Sequence, residues 1–293
     1  MIVTIHNDQL TLTADTLGAQ MQSITSYKGT EYLWNGDERY WKGRAPVLFP
    51  FVARLKNKTY TVNGGTYQMK IHGFASACEF EVAEQTESSV TFALRDNEVT
   101  RAQYPFAFLF KVRYALKEST VEVTYTVDNP EDEMLHFGLG GHPGFNVPLK
   151  EGTSFEDYYL RFSQPCEPDR VGFSSEILVS GVDKRYELED GQIIRLRHDL
   201  FDHDAIVLKN MAKSVTIASD KTKRYVTVSY PQMPYVGFWH AERKDAPYVC
   251  IEPWVSLPAR DGVIEDFACK GDLIHLPGHG SYENTWYITI GEE

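Results

Sequence analysis

The segment Tyr248-Val249-Cys250-Ile251-Glu252-Pro253-Trp254 places one carboxylate in an apolar and aromatic run. Extended backbone turns Tyr248, Cys250 and Glu252 to one face and Val249 and Ile251 to the other, so Glu252 shares its face with groups that solvate a charge poorly. A carboxyl in such surroundings has its pKa pushed toward neutrality, as a general base working near pH 7 requires; a strand-end ion pair is the alternative. Pro253 keeps Glu252 extended, because the residue before a proline avoids the helical region.

Two histidines stand in similarly constrained backbone. The stretch Phe137 to Pro148 surrounds His142 with four glycines and two prolines, which sets the chain and strips bulk, and this predicts open access to the imidazole. No GxGxxG or GxxxxGK[ST] spacing is present and no helical pattern follows, so a phosphate cradle is not indicated. In Lys70-Ile71-His72-Gly73-Phe74-Ala75, His72 lies just past a strand and either faces a cleft or is a satisfied loop residue. The run Ala45 to Arg54 is either a core strand emerging into solvent or a support that holds the Arg54 fork at a cavity edge. In Leu200 to Leu208, one strand face would carry both Asp202 and Asp204. A metal held by Asp202, His203 and Asp204 is disfavoured, since neighbours in a strand point to opposite sides. These carboxylates then either accept hydrogen bonds from hydroxyl groups or end a solvated strand.

The elements that must position these residues are strands. In Thr120 to Val127 every second residue is apolar, and Ser88 to Leu94, Phe106 to Leu116, Val215 to Ala218 and Tyr225 to Tyr230 read alike. Asn63-Gly64 between Thr59–Val62 and Gly65–Met69 predicts a hairpin with a tight turn. Helical periodicity is confined to one or two turns over Glu98 to Tyr104, stopped by Pro105. The expected architecture is all-β, a large antiparallel β-sandwich forming a single domain over residues 1–293, with Gln164 to Gly191 as a surface excursion able to shape a site.

Composition narrows the function classes. With 29 Lys+Arg against 41 Asp+Glu the formal charge is −12, which repels phosphate backbones and anionic headgroups, so neither nucleic acid nor a membrane surface is an expected partner. Cys78, Cys166, Cys250 and Cys269 are widely spaced and form no CxxC pair, so no zinc site or disulfide framework is suggested and reduced thiols in a cytoplasm fit. The first residues lack a basic stretch followed by an apolar one, and no run approaches the ~18 apolar residues of a spanning helix, so export and insertion are not expected.

Taken in order, these segments resemble the aldose 1-epimerase (mutarotase) family, especially its LacX-like branch. The resemblance runs through Gly18-Ala19-Gln20-Met21-Gln22-Ser23-Ile24, Glu31-Tyr32-Leu33-Trp34-Asn35-Gly36, Trp41, Leu48-Phe49-Pro50, His72-Gly73-Phe74, His142-Pro143-Gly144-Phe145-Asn146 and Ile251-Glu252-Pro253-Trp254. It implies a galactose mutarotase-like supersandwich, an open cleft for a monosaccharide, and neither cofactor nor metal. It further implies that His142 protonates the ring oxygen of a hexose, Glu252 takes the proton of the C1 hydroxyl, His72 steadies the ring oxygen or nearby hydroxyls, and Arg54 and Asp204 bind hydroxyls, Asp202 being the alternative aspartate. Anomers interconvert by ring opening, rotation about C1–C2 and reclosure, so one acid and one base suffice. A catalytically idle sugar-binding protein using Trp34, Trp239 and Arg54 is the competing class. A glycosidase would need two carboxylates and leave His142 without a task. Arg44, Lys56 and Lys58 are scattered candidates for a sugar phosphate. The mechanism also sets a geometry: the five side chains should line one cleft, with His142 and Glu252 within about 8 Å and separated by a gap that fits a pyranose ring.

Overall fold

Strict alternation builds the larger of two facing sheets. The computed structural model describes residues 1–292. In strand Thr120–Asp128, Val121, Val123, Tyr125 and Val127 are buried while the intervening residues are half-exposed. This strand pairs with Leu109–Lys117 on one side and Ser281–Gly291 on the other, near the middle of a nine-stranded antiparallel sheet. On its outer face threonine hydroxyls pair across the ladder, Thr120 with Thr289 at 2.8 Å and Thr124 with Thr285 at 2.9 Å. The inner face joins the main core, where each fully buried Val, Leu or Phe contributes about 1.5–3 kcal/mol.

The second sheet carries the candidate site. Its strands run in the order Lys184–Arg185, Asp169–Arg170, Ile206–Lys209, Tyr235–Trp239, Tyr248–Trp254, Gly140–Gly141, Val47–Leu48, with Gly144–Asn146 also paired to Tyr248–Trp254. Tyr248–Trp254 is buried along its whole length. Val249 and Ile251 face the main core, whereas Tyr248 and Cys250 pack with Trp34, Ala241 and Ala246 in a separate cluster, so both faces are covered. Phe49 stacked on Phe110 at 4.4 Å and Phe162 against Phe238 at 6.1 Å join the two sheets.

The hairpin forms as the sequence predicts, with Asn63 and Gly64 at φ of 50° and 75°. Glu98–Gln103 is the only α-helix among the described residues, and Asn97 caps it by accepting from the N–H groups of Val99 and Thr100. Three expectations are corrected. The strand expected from Phe106 starts at Leu109, because the chain before it is tied elsewhere: Phe106 N–H donates to the Tyr104 carbonyl and Phe108 N–H to Asp96 Oδ1. Ala45 to Arg54 is a strand only at Val47–Leu48; Pro46 and Pro50 cannot donate to a ladder, and Ala53 turns to φ 58°. Asp202 and Asp204 lie before the strand Ile206–Lys209 rather than on it, and Asp204 takes φ 73°. Among the described residues no helix is long and apolar enough to cross a membrane.

Candidate active site

Glu252 owes its position to the strand Tyr248–Trp254, buried along its whole length, where Gly237 faces it across the ladder. His142 comes from the neighbouring connection. Gly140 pairs with Trp254 on one side and Leu48 on the other, and the His142 N–H donates to the Pro46 carbonyl at 3.1 Å. The imidazole therefore ends over the carboxyl, with Nε2 3.3 Å from Glu252 Oε2. His142 is 8% exposed and Glu252 1%. Trp41 stacks on the imidazole at 5.0 Å, and Trp239 and His72 meet it edge-on at 5.6 and 5.4 Å. These rings hold the His142 ring plane, while its buried Nδ1 has no hydrogen-bond partner.

The glycines near His142 do something other than clear the way to it. A Cβ on Gly141 would stand 2.7 Å from the Trp286 ring, and one on Gly140 2.9 Å from Trp254, so their bareness lets this connection lie flat between two tryptophans. Access to the imidazole comes instead from a cavity of about 560 Å³. Arg54, His72, His142, Asp204 and Glu252 all line it, together with Trp41 and Trp239.

His72 sits at φ 64° beside Gly73 at φ 76°. A Cβ on Gly73 would lie 2.2 Å from the Phe49 carbonyl oxygen, so this glycine admits another stretch of the chain. The Ala53 N–H donates to His72 Nδ1 at 3.1 Å, which leaves the ring hydrogen on Nε2. Burial, together with His142 and Arg54, holds the His72 pKa well below the usual histidine range, so the ring is a neutral donor. Arg54 Nη2 lies 3.5 Å from Asp204 Oδ2, and Asp204 Oδ1 accepts from the Ala205 N–H at 2.7 Å.

Burial acts oppositely on the central pair. It pushes the Glu252 carboxyl well above the ordinary carboxylate range, reinforced by the charge of Asp204, and it lowers His142 to about 4. Burial thus favours the form with a protonated carboxyl and a neutral imidazole; the carboxyl is raised, as its surroundings in the sequence suggest, whereas the histidine lies below the 6.5 expected of it. The ring-wide gap is also absent. The ring oxygen and O1 of an aldose lie roughly 2.3 Å apart, so two groups 3.3 Å apart can each reach one of them from the same side at about 3 Å.

A neighbouring cavity of about 810 Å³, shaped by residues 170–184, shares Phe173, Ile177, Asp204 and Glu242 with the first. Asp202 and His203 line only that second space. Trp34 is buried behind Tyr248, stacked on it at 4.5 Å, and does not line the first cavity. Arg44 hydrogen-bonds the Gln22 carbonyl and Lys56 pairs with Glu176, so neither points to a phosphate. Cys250 faces the pair, its sulfur within 4.8 Å of the His142 and Glu252 ligand atoms. Its nearness to His142 escaped the sequence reading, although strand alternation put it on the same face as Glu252.

Comparison with known proteins agrees with this architecture. Residues 1–257 match the family model described as aldose 1-epimerase. The chromosomal LacX protein of Lactococcus lactis subsp. lactis is 34% identical over 266 residues, 88% of each chain. A galactose mutarotase related enzyme from Lactobacillus acidophilus superposes with a TM-score of 0.95 at 35% identity, covering 100% of this chain and 98% of that one. A galactose mutarotase-like protein from Lactobacillus casei does so with a TM-score of 0.92 at 30% identity, covering 99% and 100%. With a family model spanning most of its length and relatives of this similarity, the chain belongs to the aldose 1-epimerase family.

Proposed function

We propose that the protein is an isomerase that interconverts the α and β anomers of a hexose without a cofactor. The observation that carries this reading is the contact of a buried imidazole with a buried carboxyl, 3.3 Å apart on the wall of an open cavity. Binding a sugar needs no such pair. Proton transfer to one oxygen and from its neighbour does.

The pair carries one proton and acts as a unit. As the sugar enters, the proton crosses from Glu252 to His142, and the charged form so made is the reactive one. His142 Nε2–H protonates the ring oxygen while Glu252 accepts the proton of the C1 hydroxyl, and the C1–ring oxygen bond breaks to give the open aldehyde. After rotation about C1–C2, Glu252 returns its proton to the carbonyl oxygen as His142 removes one from the C5 hydroxyl, and the ring closes on the other face. Atoms and protons balance over the cycle. The His72 Nε2–H donates to the ring oxygen or an adjacent hydroxyl, the Arg54–Asp204 couple binds hydroxyls, and the Trp41 stack keeps the imidazole in plane.

Exchange NMR or polarimetry with α-glucose and α-galactose tests this directly, because spontaneous mutarotation is slow. The expected result is acceleration of anomer exchange with at least one of them, proportional to protein concentration. Binding of either sugar with no acceleration would favour a non-catalytic carbohydrate-binding protein on the same fold.

A further inference from the structure

The acid–base reading employs His142 and Glu252 and leaves Cys250 unused, yet all three offer their ligand atoms to one point. A ring nitrogen of His142, Cys250 Sγ and a Glu252 oxygen lie within 4.8 Å of one another, Nε2 being the nitrogen 3.3 Å from Glu252 Oε2, and all three residues are buried. Cys250 and Glu252 reach this point from alternate positions of one extended strand, and His142 from the connection paired beside it. The three atoms differ in kind, one imidazole nitrogen, one thiol sulfur and one carboxylate oxygen, which is the mixture that zinc and similar ions favour over magnesium or calcium.

The distances suit such an ion. In a tetrahedral zinc site, bond lengths of about 2.0–2.2 Å to nitrogen and oxygen and about 2.3 Å to sulfur place the nitrogen and oxygen about 3.4 Å apart and the sulfur about 3.6 Å from each. The nitrogen and oxygen already stand at 3.3 Å. From a separation of at most 4.8 Å the sulfur needs to approach by about 1.2 Å at most, within reach of small side-chain rotations. Glu252 and His142 line the cavity, which leaves the fourth position to water.

From this arrangement we infer that His142, Cys250 and Glu252 form an inhibitory site for a thiophilic divalent cation of the zinc type. The cation is no cofactor. Coordination consumes the Nε2 lone pair and the carboxylate oxygen that the acid–base pair needs, so the metal-bound form cannot turn over. Binding releases two protons, one from the thiol and one from the pair, and leaves Cys250 as a thiolate. Metal and sugar then compete for the same two atoms.

The test uses the full chain, stripped of metal by a chelator, with Zn²⁺, Co²⁺ and Mg²⁺ as probes. Micromolar Zn²⁺ should suppress anomer exchange, excess sugar or chelator should restore it, and equal Mg²⁺ should have no effect. Cys250→Ser should keep the basal rate and require Zn²⁺ roughly tenfold higher or more, since losing a direct ligand costs at least as much as losing an outer-shell partner. Independently of any turnover, Co²⁺ should give a thiolate charge-transfer band in the wild type that is lost in Cys250→Ser and weakened in His142→Asn. This arm stands even if no sugar is epimerised, and His142→Asn keeps it decisive should Cys250→Ser fail to fold. Equal zinc sensitivity of wild type and Cys250→Ser overturns the inference, as does a cobalt–thiolate band unchanged in His142→Asn or equal inhibition by Mg²⁺.

Discussion

Glu252 and Glu265 are both sealed from water, at 1% and 0% exposure, and their surroundings shift their carboxyl pKa values in opposite directions. Glu265 is held by Arg260 through two side-chain contacts, Nε to Oε1 at 3.0 Å and Nη2 to Oε2 at 2.8 Å, and by the Arg260 backbone N–H at 2.9 Å. Burial opposes its charge, but these hydrogen bonds and the nearby Lys270 outweigh that opposition and hold its carboxyl below the usual range. Glu252 meets an imidazole that burial keeps neutral, and the largest effect of charge on it is repulsive, from Asp204. A buried carboxylate with a guanidinium fork serves the fold. One left with an equally reluctant titrating partner retains a mobile proton.

The largest expected effect separates the two in activity. Glu252→Gln should lower anomer exchange by the ~10²–10⁴ of a lost acid–base group while leaving thermal unfolding unchanged or shifted upward, because no cation loses its partner. Turnover close to wild type, or clear destabilisation, would erase the distinction. Glu265→Gln should do the reverse: chemical denaturation should show a loss of about 1–3 kcal/mol, with the folded fraction exchanging anomers at the wild-type rate. That loss depends on pH. A carboxyl whose folded pKa lies below its unfolded value of about 4.3 contributes stability that is complete above that value and vanishes as pH falls through the folded pKa. Wild type and Glu265→Gln should thus converge in stability toward acid and differ most at neutral pH; a constant difference would show that packing, not charge, is responsible.

A smaller effect sharpens the comparison from the Glu252 side. Asp204→Asn removes the repulsive charge and the partner of Arg54, and should lower kcat/KM by about tenfold, chiefly through KM, as expected when substrate binding rather than the transition state alone is affected. A change confined to kcat would instead place Asp204 in the proton transfer.

How much of this was legible in the sequence depends on the range of the forces involved. Thr120 to Val127 was readable because a two-residue period is local, and the structure extends it only to Asp128. The faces of Tyr248–Trp254, and with them the desolvation of Glu252, were readable for the same reason. The contact of His142 with Glu252 was not, since it depends on Gly140 pairing with Trp254 more than a hundred residues away. The glycines around His142 were read as an approach to the ring because the facing Trp286 and Trp254 are distant in sequence. Arg260 and Glu265 passed unnoticed, as five residues of irregular chain carry no period that would bring them together. Trp41 entered only through the family resemblance, and no local pattern places it on the His142 ring.

Infrared difference spectroscopy at neutral pH reads the charge states of both glutamates directly. Subtracting Glu252→Gln from wild type should reveal the carbonyl stretch of a protonated carboxylic acid, and subtracting Glu265→Gln should reveal only carboxylate bands. A carboxylate signature for Glu252 in the sugar-free protein would contradict the account, because the proton would then sit on His142 or on neither group and burial would not keep the carboxyl protonated.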